Sequence, residues 1–146
     1  MFGLLIICRL PDPCFSQKAL HNSTESKIMN IKRLAPEERL TGAVIHNGLV
    51  YLAGQIADDS TLDAEGQMAD ILRQVDALLA EAGTDKSHLI SVQIFLADMN
   101  DMAAMNRAWD AWLDRNNKPA RATVEAKLAD PTWKVELTGI AALPQP

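Results

Sequence analysis

The stretch "AVIHNGLVYLAG", Ala43 to Gly54, constrains the fold more than any other part of the chain. Two β-prone runs flank Asn47-Gly48, a pair that tolerates positive φ at both central positions of a type I′ turn. A tight antiparallel hairpin follows from that. Downstream, "GQIADDSTLDAEG" shows no apolar period and reads as a loop. Its carboxylates Asp58, Asp59, Asp63 and Glu65 lack the spacing of a calcium loop, and a helix N-terminus attracts acidic residues in any case. The loop is expected to lead into a helix.

Met68, Ile71, Leu72, Val75, Leu78, Leu79 and Ala82 recur at helical spacing, and Gly83 stands where a left-handed C′ residue ends a helix. "HLISVQIFLA" is rich in β-branched and aromatic residues and predicts a buried strand. Asn100 is then placed to cap a second helix, with Met102, Met105, Trp109, Trp112 and Leu113 on one face. That face reads as core or subunit contact. After Pro119 come strands in "ARATVEAK" and "WKVELTGIAA", separated by a turn around Asp130-Pro131. The order β-hairpin, α, β, α, β, β predicts an α+β sandwich, a mixed sheet with two helices on one face.

Residues 1–28 differ from the rest. They start apolar, "FGLLIIC", and continue without periodicity. No basic residue precedes that run, and it is too short for a signal peptide core or a membrane span. They are expected to be a poorly structured extension upstream of a natural start at Met29, with residues 29–146 forming one domain. Cys8 and Cys14 both lie in the extension, so the domain has neither a disulfide framework nor a cysteine nucleophile, which suits a reducing cytoplasm. The extension carries three basic and two acidic residues, leaving the domain at −6 against −5 for the whole chain. No basic run is present. That balance argues against nucleic acid or an anionic membrane as partner.

Most catalytic equipment is missing. His21, His46 and His88 lie far apart without metal-ligand spacing, and neither a Gly-rich phosphate loop nor a G-x-S-x-G elbow occurs. What remains is polar groups on two strands: Arg121, Thr123, Glu125 and Lys127 on one, Lys134, Glu136 and Thr138 on the other. If those strands formed a hairpin turning near residue 130, Arg121 and Glu136 would lie roughly 10 Å apart. That gap fits a small anion and a water. A solvated sheet face with scattered charge pairs explains the same pattern.

"LAGQI", "VQIFLADMNDMAAMNRAWDAWL", "KPARATVEAKL" and "KVELTGIAA", in this order and spacing, resemble the RidA (YjgF-type) family of enamine/imine deaminases. The resemblance covers about residues 31–143 and is nearest to the YoaB-like branch. It implies a chorismate-mutase-like fold, a homotrimer with helices outside, and sites in the clefts between subunits. It implies that Arg121 binds the substrate carboxylate, that Glu136 positions water, and that Asn106 shapes the cleft. Backbone groups of Ala122 and Thr123 would bind the ligand. The sequence departs from the family pattern at Ala53 (often serine), Leu40 (an aromatic) and Thr123 (often cysteine). The implied activity is hydrolysis of reactive 2-enamino and 2-imino acids to 2-keto acids and ammonia, without metal or organic cofactor. The alternative is a trimeric module that binds small carboxylates without turnover, which the changed lining positions favour and Glu136 disfavours. Ribonuclease activity, attached to some members, sits poorly with a net-acidic domain.

Overall fold

The computed structural model describes residues 30–144, so the expected extension lies outside the described residues. The predicted hairpin is present as β2 (Thr41–His46) and β3 (Leu49–Gln55), with φ of 50° at Asn47 and 76° at Gly48. Both values are positive, as a type I′ turn requires. Helix α1 (Ala64–Ala82) starts at Asp63, whose side chain accepts from Gly66 N. It ends at Gly83, at φ 87°, where the amides of Gly83 and Thr84 cap the carbonyls of Ala80 and Leu79. Strand β4 (Leu89–Leu96) and helix α2 (Met102–Trp112) follow. Asn100 does not cap α2: the N-cap position is Asp101, without a side-chain cap bond, and Asp98 accepts from Asn100 N to open a short 3-10 turn over Met99–Asp101.

Two further strands, β5 (Ala120–Glu125) and β6 (Val135–Ala142), lie C-terminal to α2. Another, β1 (Lys32–Pro36), precedes the hairpin and was not expected from the sequence. Its pentapeptide "KRLAP" buries only Leu34, so it offers no alternation to read. Together these form a six-stranded sheet in the order β1-β2-β3-β6-β4-β5, antiparallel except for the β4–β5 pair. The α+β class, the mixed sheet and the pair of helices on one face all agree with the sequence reading.

The strand order does not. β5 and β6 are consecutive but not neighbours, because β4 lies between them. β4–α2–β5 is a parallel crossover, which places β5 outside β4, and residues 126–134 must then carry the chain back across β4 to enter β6. That return is pinned at its base, where Ala126 N donates to Leu96 O and Ala97 N donates to Lys134 O. It is pinned again by Gln67 of α1, a fully buried side chain. Gln67 Nε2 donates to the carbonyls of Ser60, Leu62 and Thr132, while its Oε1 accepts from Lys134 N. A buried amide tolerates its surroundings only when satisfied in this way.

Met68, Ile71, Leu72, Val75 and Leu79 of α1 and Met105 and Trp109 of α2 pack on Val92, Ile94, Leu96, Val135 and Leu137 of the sheet. Each such side chain contributes about 1.5–3 kcal/mol by leaving water. Among the described residues the opposite face of the sheet has no covering layer: Tyr51 and Val124 are exposed on it, with Phe95, Thr138 and Ile140 half-buried beside them. No described helix is long and apolar enough to cross a membrane.

Candidate functional site

Strand alternation and register decide which layer each polar residue belongs to. Arg121 is in register with Val92, and Thr123 with Ile94, both core residues under the helices. The polar side of β5 therefore looks toward α2 rather than into bulk water. At its far end Glu125 Oε2 accepts from Met99 N at 2.9 Å, so this carboxylate is used to hold the turn before α2. Lys127 lies beyond the strand.

Helix α2 meets β5 with Asn106 and Trp109, three residues apart and so on one helical face. Arg121 Nη1 donates to Asn106 Oδ1 at 2.9 Å, and the guanidinium carbon stands 5.2 Å from the Trp109 ring centre. Among the described residues Arg121 forms no ion pair. An exposed arginine in a net-acidic chain is thus held by a neutral amide and an aromatic face. Its charge is oriented but not neutralised. Thr123 Oγ1 next to it is buried without a hydrogen-bond partner among the described residues. Ala122 sits on the edge strand, and an edge strand leaves part of its backbone hydrogen-bonding capacity free.

Glu136 lies on the other face. It is in register with Phe95, which pairs with Val124, all three on the side the helices do not cover. Its half-buried carboxylate lies across Gly54, where a methyl group would overlap Glu136 Oε1. Gly54, in a register irregularity of β3, makes room for the carboxylate. A cavity of about 590 Å³ opens beside it, lined by Glu37, Leu40, Gly54, Gln55, Asp58, Ser60, Gln74 and Trp133 among others. At its rim Asp58 meets Arg73, and hydrogen bonding to Arg73 holds the neighbouring Asp70 carboxyl below its ordinary range. Leu40 is among the residues that line this cavity. Ala53 is not: its neighbour Gly54 is the residue against Glu136.

A second cavity, about 690 Å³, lies under residues 126–133 with Glu125, Lys127 and Asp130. Thr132 donates to Asp130 from its hydroxyl and its amide, holding that carboxyl below its ordinary range, and Glu125 is occupied by Met99 N. Its acids thus serve local turns. The Glu136 cavity is the better candidate.

The expected spacing of Arg121 and Glu136 needs correction. Arg121 aligns through Val92 with Gly139, three residues from Glu136 and two strands away. Their backbones are about 14 Å apart by strand spacing, not 10 Å. The side chains also leave opposite faces of the sheet. One subunit does not bring them together. Among the described residues no group of three or more His, Cys, Asp or Glu is placed to hold a metal.

Gly54 was the residue the sequence reading missed; its only signal was a glycine inside a strand pattern. Gly54→Ala should leave the fold intact, because the clash is with the flexible end of Glu136. It should displace that carboxylate, as a structure of the variant would show, with little change in melting temperature.

The family model described as Endoribonuclease L-PSP matches residues 30–143. A RutC family protein of Haemophilus influenzae is 50% identical over 114 residues, covering 77% of this chain and 98% of the relative. The RutC family protein YoaB of Escherichia coli K12 is 44% identical over 115 residues, covering 79% of this chain and all of the relative. Among solved structures, NMB1025 of Neisseria meningitidis, a member of the YjgF protein family, superposes with a TM-score of 0.78 at 42% identity. That alignment covers 81% of this chain and 98% of the other.

Proposed function

The chain belongs to the Endoribonuclease L-PSP family, also called YjgF, RidA or RutC, and from that premise we propose that it hydrolyses reactive 2-imino acids to 2-keto acids and ammonia. The observation that carries the reading is Arg121, fixed in orientation by Asn106 and Trp109 with no acidic partner among the described residues. Such a guanidinium is prepared for a ligand carboxylate, which it grips through two parallel hydrogen bonds.

The reaction needs three things: a fixed carboxylate, a protonated imine nitrogen as electron sink, and water aimed at C2. Arg121 supplies the first. Glu136 takes a proton from the water as its oxygen bonds to C2 and the C=N π pair moves to nitrogen. The resulting carbinolamine receives that proton on nitrogen, ammonia leaves, and the C2 hydroxyl loses its proton as the ketone forms. Positioning accounts for most of the gain, since these imines also hydrolyse unaided. Enamines enter by tautomerising to imines first.

Arg121 and Glu136 lie on opposite faces of one sheet, so a shared ligand requires Arg121 from one copy and Glu136 from another. The uncovered face with Tyr51 and Val124 supports an assembly that buries it. We take this to be a homotrimer with its sites at the subunit boundaries, working in the cytoplasm. Sedimentation equilibrium should give three times the chain mass at micromolar concentration. A stable monomer would remove the site as well as the assembly.

The deciding experiment follows ammonia release from 2-iminopropanoate and 2-iminobutanoate generated in situ by an amino-acid oxidase. Release faster than spontaneous hydrolysis, and proportional to protein, supports the enzyme. No acceleration, together with saturable binding of 2-oxobutanoate, would instead favour the carboxylate-binding module, a reading suggested by Leu40 and Ala53. RNA cleavage, which the family model's description names, finds no basic stripe in this chain to bind a phosphate backbone.

A further inference from the structure

Trp109 is 4% exposed and would ordinarily count as core alone, yet its ring face lies 5.2 Å from the guanidinium carbon of exposed Arg121. We propose that Trp109 is a positioning residue for Arg121. Its indole face and Asn106 Oδ1 together hold the guanidinium in one orientation and direct its remaining N–H groups at the substrate carboxylate. This inference rests on the imine-hydrolase reading and adds to it a residue that touches no reacting atom.

Three features support the role. The first is how the guanidinium is shared. A guanidinium has five N–H donors, and Asn106 engages one nitrogen, Nη1, leaving the rest for a ligand. The second is electrostatic. An aromatic face attracts the cation without neutralising it, whereas a carboxylate in that place would compete with substrate. The third is that the platform is itself anchored. Trp109 leans on Trp112, with ring centres 5.6 Å apart and planes 51° apart. Trp112 Nε1 donates to Asp76 Oδ2 at 2.8 Å, and Lys86 Nζ stands 5.1 Å from the Trp112 ring centre. The ring under Arg121 is therefore braced from α1 through Trp112. A long, flexible side chain on an edge strand gains its fixed direction from that brace.

The test uses the full chain, with 2-oxobutanoate as a non-reacting carboxylate in calorimetry and steady-state kinetics on an imino acid. Trp109→Leu should weaken 2-oxobutanoate binding and raise KM by about threefold to tenfold, with kcat per folded molecule changed less than about twofold. Trp109→Phe, which keeps a ring face, should recover most of the loss. In an Arg121→Gln background, Trp109→Leu should cost no further affinity, because the indole acts only through the guanidinium. Unchanged affinity in Trp109→Leu, failure of Trp109→Phe to recover binding, or an equal loss in the Arg121→Gln background would overturn the proposal. A wild-type chain that binds no 2-oxobutanoate would overturn the hydrolase reading along with it. A wild-type chain that binds and turns over while Trp109→Leu matches it would sink this inference alone.

Discussion

Glu136→Gln is expected to slow imine hydrolysis by about a hundredfold or more while leaving 2-oxobutanoate affinity within about twofold of wild type. An amide has nearly the same shape and can still orient water, but it cannot accept the proton that water must lose. The site tolerates the change because no described residue is ion-paired to the carboxylate, so removing its charge strands no buried cation. Gly54, which makes room for the side chain, is untouched. Melting temperature should therefore hold, and the loss should appear in kcat rather than KM. Wild-type turnover in Glu136→Gln would remove the proton-accepting role and leave only positioning by Arg121.

Arg121→Lys should lower kcat/KM by about tenfold to a hundredfold, the equivalent of losing one charge-assisted hydrogen bond of about 1.5–3 kcal/mol. Lysine keeps the charge but presents a compact ammonium in place of a planar fork. It gives up the parallel pair of bonds to a carboxylate, and it need not hold both Asn106 Oδ1 and the Trp109 face at once. The effect on stability should be small, about 0.5 kcal/mol or less, because Arg121 is exposed and its strand buries little around it. Circular dichroism and calorimetric binding of 2-oxobutanoate would separate these effects. Unaltered turnover in Arg121→Lys would mean that the arginine merely decorates the edge of the sheet.

Much of the local structure could be read from the chain. Asn47-Gly48 is the hairpin turn, Gly83 ends α1 in the left-handed region, and the apolar stripes of both helices lie where their spacing put them. Residues such as Arg121, Asn106 and Glu136 could be singled out by chemical type and by resemblance to a family. These features depend on backbone sterics and on periods of two or 3.6 residues, which act over a few neighbours and are written in the local sequence. The relation between strands is of another kind. "ARATVEAK" and "WKVELTGIAA" read equally well as a hairpin, because nothing in either segment states that "HLISVQIFLA" will lie between them. That order follows from where α2 packs after β4 and from the anchoring of the return loop by Gln67, contacts between residues far apart in the chain. The alternation of side chains puts Arg121 and Glu136 on opposite faces in either strand order, and the single inserted strand widened the gap between them. It also turned a core-stripe tryptophan into the floor under an arginine. Packing over long sequence separations decided both, since burial is shared among all the elements that meet in the core and no one segment encodes it.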